Sequence, residues 1–419
     1  MPDLNDLRKQ RLIYLAGFLY ALSLHKYVSR DPLSAQTGIQ GVMEFALQGA
    51  AFVCTFGASR HARRQFAPSP VLLCFVGFGV LALASSWRSF NPPLSLAKGL
   101  LLFIVLGTGY LASQLGLATR FFQSIYWTYT ASLAVGLILG AALPSRFPLW
   151  SFDHYDGRTR LSVFGTFPGT MGETAAYLIL LAPIIFRRSH WISRLFLLAM
   201  NIVAGGKLST AVLLLLLAIE YLVNIRTARS WRVVTLVGGA CLAVCAGLYM
   251  TLLRGVDLSQ SLTRPLDMVY GHDVAAEAVG LDGRLELWRG AVALLMRNPV
   301  LGFGFDGSRQ ALTKIAWWSG HSHNGFLEVG LAGGIVSGAI FLLGVAGVLR
   351  VCLASAPGMR RHTLLAFAYM IIIAFTGITF TFPSYLGLLI LTLLYYQSAQ
   401  SSTTGSGTQF HIEEPALSN

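Results

Sequence analysis

The chain alternates long uninterrupted apolar runs with short polar segments, and most runs are long enough to form a helix across a lipid bilayer. The runs predict helices near 12–28, 40–58, 69–87, 97–118, 121–143, 171–186, 193–206, 208–224, 233–253, 326–349, 363–381 and 385–398. They are continuous and do not alternate with a period of two, so they predict helices and not the strands of an outer-membrane barrel. The expected organisation is five helices in 1–143, a loop at 144–170, four helices in 171–253, a large loop at 254–325, three helices in 326–398 and a tail at 399–419. Inside the large loop, Leu285, Trp288, Val292 and Leu295 recur at helical spacing and predict an amphipathic helix. Arg297-Asn298-Pro299 ends that helix, and Leu301-Gly302-Phe303-Gly304 predicts a flexible turn.

Composition agrees with the pattern. Of 419 residues 54% are hydrophobic and only 12% charged, with a mean hydropathy of +0.62. A soluble domain carries roughly 25% charged residues, so the expected class is an all-α polytopic membrane protein with about twelve spans. The five cysteines lie in or at the ends of apolar runs and read as small hydrophobes. The first apolar run follows Arg8, Lys9 and Arg11 without a small-residue cleavage site, which predicts a retained first helix.

The formal net charge of +13 is unevenly placed. About half of the 31 Lys and Arg fall in short segments that would share the side of the amino terminus, which predicts cytoplasmic termini and places loops 144–170 and 254–322 outside. Arginine in those loops serves no orientation purpose, so an anionic partner is expected there. Loop 144–170 carries Arg146, Arg158 and Arg160, followed by Phe164-Gly165-Thr166-Phe167. The larger loop carries Arg254, Arg264, Arg284, Arg289, Arg297, Arg309 and Lys314. Taken singly, each could meet lipid headgroups or pair with a nearby acid. Converging, their guanidinium forks would grip phosphate oxygens bidentately.

The stretch Gly320 to Gly338 places His321, His323 and Asn324 at the entrance of the tenth apolar run. Two readings stand for these residues: a helix cap at the interface, or acid–base chemistry beside a lipid-borne substrate. Trp317 and Trp318 just before them fit an interfacial anchor. The motifs of other chemistries are missing. There is no Asp-x-Asp pair in an aqueous loop, no Walker A sequence and no His-Glu-x-x-His, and the Gly-x-Gly at 302–304 follows no βαβ pattern. His321 and His323 lack a third zinc ligand in the sequence. The few acids in apolar runs, Glu44, Glu173, Glu220 and Glu328, and the lack of internal repeats argue against a proton-coupled transporter.

Four motifs in order carry a family resemblance. His323-Asn324 is followed, nine residues later, by Gly334-Ile335-Val336-Ser337. Arg284-x-x-x-Trp288 precedes Asn298-Pro299-x-x-Gly302-x-Gly304. Lys207-Leu208-Ser209-Thr210 opens a helix, and Arg160 precedes Phe164-Gly165-Thr166-Phe167. Through these residues the chain resembles the O-antigen ligase/polymerase superfamily of membrane glycosyltransferases, with Ser337 and Lys207 departing from the usual residue types. The resemblance implies a GT-C-like helical fold in the bacterial inner membrane with a periplasmic active site. It implies metal-independent, inverting transfer of a glycan from undecaprenyl diphosphate to a sugar hydroxyl of lipid A-core, with no cofactor and no nucleic-acid partner. It also implies site roles: His323 as base with His321 as substitute, Asn324 as a positioning group, Arg284, Arg160 and Lys207 on the diphosphate, and Arg289 and Arg158 further out. A glycan polymerase or protein O-oligosaccharyltransferase of the same superfamily, and a non-enzymatic lipid-linked glycan transporter, are the competing readings.

Overall fold

The computed structural model describes residues 4–25, 39–60, 68–153, 158–186, 190–204, 207–225, 284–315, 320–381 and 385–404. The helices are α1 (Leu4–Ser23), α2 (Ile39–Ser59), α3 (Pro70–Ala84), α4 (Pro92–Gln114), α5 (Ala118–Ala142), α6 (Pro168–Ile185), α7 (Trp191–Val203) and α8 (Lys207–Ile225). They continue with α9 (Arg284–Arg297), α10 (Arg309–Ile315), α11 (Gly325–Ala354), α12 (Pro357–Ala374) and α13 (Leu386–Thr404). A two-stranded antiparallel hairpin, β1 (Trp150–Asp153) and β2 (Arg158–Leu161), stands between α5 and α6. The fold is all-α and polytopic. Among the described residues six helices (α2, α3 with the turn after it, α4, α5, α6 and α11) are long and apolar enough to cross a membrane. The expected helix at 233–253 lies outside the described residues, as do Trp317 and Trp318.

Local sequence explains where helices start. Ser69 caps α3 by accepting from the Leu72 N–H, and Asn91 caps α4 by accepting from the Leu94 N–H; both caps precede a proline, whose missing N–H costs nothing in the first turn. Helices α4 and α12 consequently begin at Pro92 and Pro357, five and six residues before the hydropathy pattern places them.

A single apolar core joins α1–α8 with α11–α13. Helix α1 packs on α2 and α5, and α11 packs along α3. A smaller cluster, Leu287, Ala291, Leu294, Phe303, Leu312 and Leu331, seats α9 and α10 on the first turns of α11. The buried face of α9 is therefore Leu287, Trp288, Ala291 and Leu294, and Val292, expected inside, is 45% exposed. Apolar residues surround this helix on two sides, and contact with Leu331 decides which side is covered.

Helix α11 is broken at Gly334, whose φ of 82° lies in the left-handed region. The segment after Pro299 fills the break. Phe303 N–H donates to Leu331 O at 2.7 Å, Gly304 N–H to Ala332 O at 2.8 Å, and Ile335 N–H to Pro299 O at 2.6 Å. A side chain on Gly334 would collide with the Val300 carbonyl, and one on Gly302 with the backbone at Leu331 and Gly334. Residues 301–304 are thus a clamped turn, with Gly302 and Gly304 at positive φ, because the helix break offers the Phe303 and Gly304 N–H groups fixed acceptors.

Candidate active site

The turn that carries the two histidines is tied down from three directions. Trp288 Nε1–H donates to Ser322 O at 2.9 Å, reaching from α9. The Ser322 N–H donates to the carboxylate of Glu328, one turn into α11. Asn324 caps α11, its side-chain oxygen accepting from the Phe326 and Leu327 N–H groups at 3.1 Å each. Asn324 thus has a structural task whatever else it does. His323 pays for its place in the turn with a φ of 50°, a left-handed conformation costing about 1 kcal/mol for a residue with a Cβ. The His321 and His323 rings meet edge to face with centroids 4.1 Å apart.

Arg284 stands one helical turn before Trp288, so the bond from Trp288 to Ser322 carries Arg284 to the same place. Its positive charge acts on His323 and also on Glu173, in the first turns of α6. The Glu173 carboxylate faces Gly377, and Gly325 abuts the same turn through Phe380 and the Gly377 carbonyl. Burial first, then the charges of His321 and Arg284, hold the His323 imidazole well below its ordinary value of 6.5. The environment of His323 therefore favours the neutral imidazole.

Around Glu173 the polar groups continue. Tyr177 and Tyr369 meet edge to face at 5.1 Å, Tyr369 shares a 2.7 Å hydrogen bond with Ser209, and Asn201 donates to Ser209 Oγ at 3.0 Å and to Gly172 O at 2.8 Å. Ser209 lies in the first turn of α8, so the start of that helix, Lys207 included, belongs to this neighbourhood; the Lys207 side chain is outside the described atoms.

The other expected cations are placed differently. Arg160 lies on β2 opposite Ser151. The turn after it is anchored by Val163 in the core and by a 3.3 Å contact between Thr166 Oγ1 and His25 Nδ1. Arg158 is paired in register with Asp153, its side chain outside the described atoms, and Arg289 is exposed on α9. The structure thus brings together His321, His323, Asn324 and Arg284, with the start of α8 nearby. Glu173 joins them; its position in an apolar run was the one signal the sequence offered.

The arrangement offers a neutral imidazole and a fixed guanidinium at the mouth of a helical bundle. It suits proton abstraction next to a site where negative charge develops. No curated protein matches the chain. The family model described as Wzy_C, O-Antigen ligase, matches residues 193–342, from α7 through α9, the histidine turn and the break in α11. Over that segment the chain is similar to the O-antigen ligase family, which supports a member of the O-antigen ligase/polymerase superfamily of membrane glycosyltransferase-like enzymes.

Proposed function

We propose that the protein is an O-antigen ligase of the bacterial inner membrane, transferring a glycan from undecaprenyl diphosphate to a sugar hydroxyl of lipid A-core on the periplasmic face. The observation that carries this reading is the placement of Arg284 within electrostatic reach of His323 inside the matched segment, with the Trp288–Ser322 hydrogen bond holding α9 against the histidine turn. In the reaction His323 takes the proton from the acceptor hydroxyl as its oxygen attacks the anomeric carbon. The bond from that carbon to the diphosphate oxygen breaks on the opposite side, which inverts the anomeric configuration. Undecaprenyl diphosphate leaves with its added negative charge held by Arg284, with Arg160 and Lys207 on the remaining phosphate oxygens and Arg289 and Arg158 further out. His321 and Asn324 frame the base. A bound diphosphate also offsets the Arg284 charge that weakens His323, so the base strengthens when donor arrives.

The test is a reaction of purified protein with lipid-linked glycan and either core lipid, a second lipid-linked glycan, an acceptor protein or nothing. Transfer to core lipid alone supports the ligase. Elongation on the lipid carrier would identify a polymerase, transfer to protein an oligosaccharyltransferase, and no transfer at all would overturn the enzymatic reading. Reporter fusions after Arg229 and after Gly307 should report opposite sides of the membrane, and matching signals would sink the topology.

A further inference from the structure

A chain of buried ionic groups leads from the membrane helices to the histidine turn, and the proposed transfer leaves it without a task. Glu44 on α2 lies with its Oε2 3.8 Å from Lys98 Nζ on α4, both largely buried. Lys98 in turn acts electrostatically on Asp306, whose Oδ2 lies 3.7 Å from Arg309 Nη1. The Arg309 guanidinium packs on the backbone of Gly320, where a methyl group would lie 3.0 Å from its Cζ, immediately before His321. Lys98, Asp306, His321, Glu328 and Tyr385 line one small cavity, and the Tyr385 hydroxyl donates to Lys98 O at 2.8 Å. Asp306 itself sits at a φ of 58°, two residues after the segment clamped into the helix break.

Buried ion pairs contribute little net stability compared with apolar packing, yet they fix geometry strictly, because a displaced charge is left uncompensated. We propose that Asp306, held between Arg309 and Lys98, is a positioning residue that registers the His321–His323 turn against helices α2 and α4. The inference rests on the reading of His323 as the base. Trp288 fixes the turn from one side, through its hydrogen bond to Ser322 O. Asp306 fixes it from the other, through Arg309 and the Gly320 backbone.

The experiment uses full-length protein in detergent and compares Asp306→Asn with His323→Ala. Asp306→Asn should lower kcat by roughly 10-fold to 100-fold, the scale of a misplaced reacting group, with the donor KM little changed. Diethyl pyrocarbonate should modify His321 and His323 faster in this variant while His190 and His362 keep their wild-type rates. Wild-type kcat in Asp306→Asn beside an inactive His323→Ala overturns the positioning role and leaves the base intact. Faster modification of all four histidines also overturns it, since that marks general loosening. Turnover in His323→Ala at the wild-type rate removes the base reading and this inference with it. If Asp306→Asn is not recovered from the membrane, Arg309→Lys carries the test. It keeps the charge beside Asp306 but loses the planar contact with Gly320, and wild-type kcat in it overturns the proposal.

Discussion

The hairpin that carries Arg160 and the helix that carries Arg284 are both basic elements attached to the bundle, but they are tethered to different parts of it. Helix α9 is bonded through Trp288 to the carbonyl between the two histidines, and its apolar face rests on Leu331 of the helix those histidines precede. The hairpin is anchored through Val163 beside Gly136 of α5 and through Thr166 against His25 beyond α1. One cation is thus built into the same unit as His323, and the other stands on an independent support. A charge fixed relative to the base is matched to the transition state. A charge on a separate support adds to holding the donor before and after reaction alike.

The largest expected effect tests the unit itself. His323→Ala should keep donor binding and lower kcat by roughly 10²-fold to 10⁴-fold, the usual worth of a general base, with His321→Ala milder. If His321→Ala is the inactive variant, the base sits two residues earlier. The two arginines come next, read by steady-state kinetics on the lipid-linked donor. Arg284→Ala should lower kcat by about 30-fold to 1000-fold, partly restored by Arg284→Lys, which keeps the charge but not the fork. Arg160→Ala should instead raise the donor KM by about tenfold, the loss of one charge-assisted hydrogen bond, with kcat nearly unchanged. Equal losses of kcat in both would erase the distinction between the tethers.

The pH profile sharpens the same point. Because the His323 pKa is lowered and the neutral form is the active one, kcat/KM should hold at pH 6.5 and fall only at lower pH. Donor charge at Arg284 should move the acid limb of kcat to higher pH than that of kcat/KM; identical limbs would separate Arg284 from the donor. The smallest effect is expected for Trp288→Phe, which keeps the ring and removes the donor to Ser322. One net hydrogen bond is worth about 1 kcal/mol, so kcat should fall roughly 5-fold, and an unchanged kcat would mean the turn holds without α9.

Much of this was legible in the sequence. The apolar runs located the bundle helices among the described residues, and Arg297-Asn298-Pro299 marked the end of α9. The start of α12 was not legible from hydropathy, because Arg360, Arg361 and His362 occupy its first turns; Pro357 was the overlooked signal. At the site, His323 and Arg284 stand in spaced motifs and could be named. Lys98, Asp306 and Glu173 could not be assigned to it, since each gains meaning only when elements far apart in sequence pack together. The break at Gly334 was not legible, since the apolar run 326–349 reads as one helix and the cause of the break, the backbone of residues 299–304, is contributed from outside it.

That break gives the spacing from His323-Asn324 to Gly334 a mechanical sense. As one rod the 30 residues of α11 would measure about 45 Å, well beyond an apolar layer of about 30 Å. Gly334 divides the rod, leaving 335–354 to match the layer and 325–333 as a stub about 14 Å long. The stub works as a ruler with a phase as well as a length. One residue added within it would lift the histidine turn by about 1.5 Å and swing it by about 100° around the axis, away from Arg284. The same residue added after the break would leave both groups facing each other, so tolerance to insertion should change abruptly at a single glycine.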